Sequence, residues 1–127
     1  MLQNMKCVLG LFMLCLLACT ENKYAGIPEK YHALLDQALV KAGDNATELT
    51  AALKNAPDNQ KEGMAFLIAY MPERDLKELT ADFLLENTAY AYQARENYVW
   101  AREIPDTVFL NDVLRYVSLI ETGDAWR

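Results

Sequence analysis

The sequence predicts an all-α fold, a small helical bundle of about four to six helices over residues 28–127, behind a cleaved leader. Three observations carry this. Apolar residues recur at helical spacing from Tyr31 to Leu114. No hydrophobic run alternates with period two, and no two-residue Asn-Gly or Asp-Gly turn occurs. Four prolines and Gly43 punctuate the periodic segments, where ring closure or a left-handed backbone stops a helix.

Taken in order, Pro28 suits a first helical turn, and Tyr31, Leu34, Leu35, Ala38, Leu39 and Ala42 follow on one face until Gly43 stops the helix. Asn45-Ala46-Thr47-Glu48 has the spacing of a capping box before Leu49, Ala52, Leu53 and Ala56. Pro57 ends that helix. Asp58 is placed to cap a third, where Met64, Leu67, Ile68 and Met71 share a face, and Pro72 closes it. Asp75–Leu79 reads as a short helical turn. Thr80 is placed to cap the longest segment, from Ala81 to about Ala101, with Leu84, Leu85, Thr88, Ala91, Tyr92 and Val99 expected on its buried face. Ile104-Pro105 breaks it, and Asp106–Val117 reads as one or two short helices.

Length and charge narrow the function. With 127 residues, 53% of them hydrophobic, the chain has material for one domain. The formal net charge is −6 and no basic run occurs, which argues against nucleic acid and anionic lipid headgroups as partners, because phosphates are held by clustered Lys and Arg. All three cysteines, Cys7, Cys15 and Cys19, lie near the N-terminus, and His32 is the single histidine.

That N-terminus has the form of an address. Met1–Lys6 is polar with one positive charge, and Val8–Ala18 is apolar except for Gly10. A membrane span needs roughly 20 apolar residues, so this run has the length of a signal-peptide core instead. It ends in Leu16-Leu17-Ala18-Cys19, which resembles a bacterial lipobox with Cys19 as the lipidated residue. Residues 1–18 are therefore expected to be cleaved, and residues 19–27 to form a lipidated tether reaching at most about 28 Å beyond Cys19. An envelope location and a membrane partner, held through the lipid anchor, follow. Cleavage removes Lys6 and takes the net charge to −7. It leaves Cys19 as the single cysteine, with its sulfur occupied, so no thiol nucleophile, disulfide or thiolate metal site remains.

The stretch Pro72-Glu73-Arg74-Asp75-Leu76, then Leu79 to Asn87 and Ala89-Tyr90-Ala91-Tyr92, resembles the helical lead-in of bacterial secreted transglutaminase-like proteins. Trp100, Ile104-Pro105, Phe109 to Leu114, Tyr116, Glu121, Asp124 and Trp126-Arg127 continue the pattern, which covers residues 60–127. This chain departs from it at Arg115, where the pattern has Pro, and at Ile120 and Thr122-Gly123. The resemblance implies a downstream papain-like core in which Cys, His and Asp act on an amide. No such residue set lies in this chain, so no catalytic residue is carried over. The expected role is a non-catalytic module, truncated ahead of that core. The alternative is a complete small lipoprotein that binds a protein or glycan at the envelope.

Candidate sites are few. His32 has Glu29 and Asp36 as helical neighbours, but one imidazole with two acids is read as a helix face, and neither a metal nor a cofactor is expected. Glu73, Asp75, Glu78 and Asp82 read as caps and solvated charge. The aromatic-rich segment holding Tyr90, Tyr92, Tyr98 and Trp100 is read mainly as packing, with ligand contact the alternative; Tyr90, Trp100, Phe109 and Trp126 are the binding candidates. Lipidation is directly checkable: mass spectrometry of the mature protein is expected to find acyl groups on Cys19, and globomycin is expected to block processing. An unmodified Cys19 overturns the anchor.

Overall fold

The structure is a computed structural model that describes residues 22–114. The expected leader, Cys19 and Trp126 lie outside the described residues. Among the described residues every regular element is helical, and none is long and apolar enough to cross a membrane. The elements are α1 (His32–Ala42), α2 (Ala46–Asn55), α3 (Lys61–Tyr70), α4 (Glu73–Glu78), α5 (Ala81–Asn97), α6 (Val99–Glu103) and α7 (Asp106–Val108), the last running straight into a π-helical turn, Phe109–Val113.

The four prolines each stand directly before a helical element, with φ near −57° and an extended ψ. Their carbonyls accept the first backbone bonds of the turns that follow, as Pro57 does from Gln60 at 2.8 Å and Pro105 from Phe109 at 3.0 Å. Each proline thus ends one segment and starts the next, because its ring presets φ and its missing N–H is an orphan at that position anyway. Thr80 caps α5 as expected, accepting from the Phe83 amide at 3.3 Å. Gly43, at φ +58°, makes the turn out of α1, a conformation that costs a side-chain-bearing residue more than it costs glycine.

The capping box read at Asn45 and Glu48 is used differently. Asn45 has helical dihedrals, so its side chain does not turn back onto α2. Its amide instead donates to the carbonyls of Leu76 and Leu79, both at 2.9 Å, and Glu48 accepts from the Ala81 amide at 2.8 Å. These two side chains bind the α4–α5 connection to the start of α2, with each neutral bond contributing on the order of 1 kcal/mol. Asp58 makes no cap either; it pairs with Lys61 at 3.0 Å.

Helix α3 is the central element. Gly63, Met64, Ala65, Leu67 and Ile68 are all buried, so it is apolar around most of its circumference. It packs against α1, α2, α5 and the π-turn. Met64, Ala65 and Ile68 enter the main core with Leu35, Leu49, Leu76 and Leu84. Leu67 faces the other way, into a second core of Phe109, Leu110 and Leu114. Fully burying one such side chain contributes about 1.5–3 kcal/mol.

Two expectations are corrected. The long helix ends at Asn97 because Tyr98 is extended (φ −107°, ψ 124°), and the chain restarts as α6 with its phase reset. Val99, expected on the buried stripe, is therefore 68% exposed. The turnback is held by Arg95, which donates to the Ile104 carbonyl at 3.1 Å and to Asp106 at 2.7 Å while covering the Phe109 ring. Residues 22–27, expected as part of the tether, are instead folded. Tyr24 and Ile27 are buried in the main core, and bonds from Ala25 to Asn22 and from Ile27 to Tyr24 fold this segment onto the bundle.

The crossing of α3 and α5 sets a test. A Cβ on Gly63 would lie 2.7 Å from the Tyr92 hydroxyl and 3.1 Å from a Leu114 methyl. Tyr92 is held edge-on by Phe109 at 4.9 Å, so it has little room to yield. Gly63→Ala is expected to destabilise by about 1–3 kcal/mol in urea unfolding, with part of the loss recovered by adding Tyr92→Phe.

Candidate functional site

Of the four aromatic binding candidates, Tyr90 and Trp100 stand at the surface, Phe109 does not, and Trp126 lies outside the described residues. Phe109 is 1% exposed, between Tyr92 and the Arg95 guanidinium, which sits 4.5 Å from its ring centre. It is a packing residue, because the apolar face of the π-turn is the face that closes the second core. Tyr90 is exposed on α5, with its hydroxyl donating to Glu86 one turn back at 3.2 Å.

Trp100 is 63% exposed on α6, and Tyr98 beside it is 55% exposed. Their rings stack at 5.9 Å with planes 26° apart. With Val99 between them, three consecutive large apolar side chains face solvent. Ala101, the next residue, is the buried contact that seats α6 on the bundle. In the sequence Tyr98 is one member of an aromatic-rich stretch. Its role depends on the break in α5, which rotates α6 so that these residues point outward together.

A second feature was invisible in the sequence. The segment Asn22–Ile27 lies across α1, α2 and the start of α3, and between them is a cleft of about 460 Å³. Tyr24, Ile27, Leu39 and Leu53 give it an apolar wall, and Lys23, Lys54 and Lys61 also line it, with no carboxylate among the described lining residues. Thus the basic cluster absent from the linear sequence is assembled by folding. Its only linear trace is the pair Lys54 and Lys61, which flank the Pro57 break.

Hydrogen bonds stiffen the mouth of this cleft. Lys23 and Tyr24 both donate to one oxygen of Asp36, each at 2.7 Å. The Lys23 bond to Asp36 raises the lysine pKa and lowers the carboxyl pKa. Lys61 donates to the Ala25 carbonyl at 3.2 Å, and its aliphatic chain packs on Gly26, whose φ is +78°. His32 donates from Nε2 to the Ile27 carbonyl at 2.9 Å and its ring lies 4.9 Å from that of Tyr24. That bond orients the imidazole as a clasp on the N-terminal segment, while Asp36 is engaged by Lys23 and Tyr24. Among the described residues, no group of three or more His, Cys, Asp or Glu side chains is placed to hold a metal ion.

The three carboxylates of α4 each stand beside a cation. Glu73 bonds Lys77 at 2.6 Å, and that contact lowers its pKa, opposite to the direction a general acid requires. Asp75 and Glu78 both lie beside Arg74. The chain matches no family model, no curated protein and no solved structure.

The buried tyrosines give the bundle an alkaline limit. Burial is the main cause that raises the pKa of Tyr24, Tyr31 and Tyr92, so the unfolded chain loses these protons first as pH rises. Below the ordinary tyrosine value of about 10 neither state ionises and this contribution is constant; above it the unfolded state is favoured. Urea midpoints are therefore expected to fall above about pH 10, and replacing Tyr92 by Phe is expected to flatten that fall. A midpoint that rises in this range contradicts the assignment.

Proposed function

We propose that this chain is a non-catalytic helical module, tethered to the bacterial envelope through Cys19, whose α6 edge docks a protein partner. The partner suggested by the resemblance of residues 60–127 is the papain-like core of a transglutaminase-like protein. The observation that carries the docking reading is the exposed stacked pair Tyr98 and Trp100 with Val99 between them. Tyr and Trp are enriched at the centres of protein interfaces, where large rigid rings bury much area at little entropic cost. A monomer gains nothing by exposing three such residues in a row. The segment that presents them also falls inside the resembling stretch. The absence of any cysteine other than Cys19 from the expected mature sequence supports the non-catalytic role.

A second reading keeps the surface and changes the ligand. Two exposed rings with planes only 26° apart also form a platform for the apolar face of a sugar, which suits an envelope glycan.

The reading frame past codon 127 separates the two. A following Cys-His-Asp core, expressed and mixed with this module, is expected to bind it. Replacing Tyr98 and Trp100 by Ser is expected to weaken that binding by about thirtyfold or more by calorimetry, as for interface hot spots. Stability is expected to stay within about 0.5 kcal/mol, because both rings are exposed. Loss of glycan binding in the same variant, with no core encoded downstream, selects the second reading. Unchanged binding to both rejects the α6 surface.

A further inference from the structure

We propose that the lysine-lined cleft beside the N-terminal segment takes the headgroup of an anionic phospholipid from the membrane that anchors the chain. The bundle is thereby held in one orientation on its leaflet. This rests on the Cys19 anchor of the proposed function and adds to it the face that meets the bilayer.

Reach is the first support. Residues from Asn22 onward are folded against the bundle, with Tyr24 and Ile27 in the core. Three Cα steps separate Asn22 from Cys19, a span of at most about 11 Å. A lipid on Cys19 therefore brings Asn22, which itself lines the cleft, to the headgroup layer.

Charge is the second support. The whole chain is acidic, at −6, yet the cleft is lined by Lys23, Lys54 and Lys61 and, among the described residues, by no carboxylate. Lys23 pairs with Asp36 and Lys61 with Asp58, and these two carboxylates are 58% and 96% exposed. Ion pairs to carboxylates this exposed contribute at most about 1 kcal/mol. Each ammonium carries three donors. Lys61 uses two, on the Ala25 carbonyl and Asp58, and Lys23 gives one to Asp36, so each of these two retains an N–H for an incoming phosphate.

Shape is the third support. A volume of about 460 Å³ falls in the range of small-molecule sites. Its apolar wall, which includes Leu39 and Leu53, suits the glycerol and first acyl carbons behind a phosphate. A free inorganic anion would leave that wall wet.

Lysine labelling with an amine-reactive acetylating reagent tests this on the purified mature protein, in phosphatidylcholine vesicles with and without phosphatidylglycerol. Lys23, Lys54 and Lys61 are expected to label about fivefold more slowly when the anionic lipid is present, in line with the effect of an anionic surface on one nearby basic residue. Lys41 and Lys77, which lie by Glu73, serve as controls and are expected not to change. Lys54→Glu is expected to abolish the protection of Lys23 and Lys61 with the melting temperature unchanged. Equal labelling in the two vesicle types overturns the proposal. The mass of Cys19 is read on the same sample. An acylated protein without lysine protection leaves the anchor standing and sinks the cleft. A bare Cys19 sinks the anchor, and the cleft must then show itself by sedimentation with phosphatidylglycerol vesicles and not with phosphatidylcholine alone. Failure there overturns it as well.

Discussion

The close approach of α3 and α5 at Gly63 is the constraint on which the rest of the bundle depends. A helix buried on nearly every side has to let its neighbours come near without voids, and Gly63 admits the Tyr92 ring where any side chain would collide. Because Tyr92 sits there, Phe109 can pack edge-on against it, and because Phe109 sits there, Arg95 can close over the other side and hold the α6–α7 turn. The second core is thus built outward from one missing methyl group. The main core uses the opposite side of the same helix, through Met64, Ala65 and Ile68.

Around that centre, short polar ties do what longer helices would otherwise do. Asn45 and Glu48 fasten the α4–α5 connection, Asn87 reaches the Leu114 carbonyl, and His32 fastens the N-terminal segment. These bonds are modest singly, but each satisfies a backbone group at an element end, where an orphan would be costly. The consequence for function is rigidity at both candidate surfaces. The α6 rings are presented from a helix seated by Ala101, and the cleft lysines from elements that pack on the main core.

The two surfaces have different chemistry and different partners are proposed for them. One is aromatic and suited to another protein; the other is cationic in an acidic molecule and suited to a membrane surface. A tethered module with one face toward the bilayer and another toward its partner would position that partner at a fixed height, a role that needs geometry and no reacting group.

Much of this was legible in the sequence. The all-α class, the helix around each apolar stripe, the Thr80 cap and the breaks at proline all depend on residues within a few positions of one another, and such local rules act before the chain is folded. Tertiary structure decided what depends on distant partners. Asn45 and Glu48 have the spacing of a cap, yet they bind carbonyls and an amide more than thirty residues away, because those groups would otherwise be buried unpaired. Tyr98 breaks a helix that periodicity continues, since Arg95 gains three partners from the turnback. Residues 22–27 look like a polar tether but fold down because Tyr24 and Ile27 find apolar neighbours. Lysines at positions 23, 54 and 61 form no run, and only the folded backbone sets them around one cleft. Spacing along the chain determines local conformation; which side chains meet is determined by burial, and burial is a property of the whole bundle.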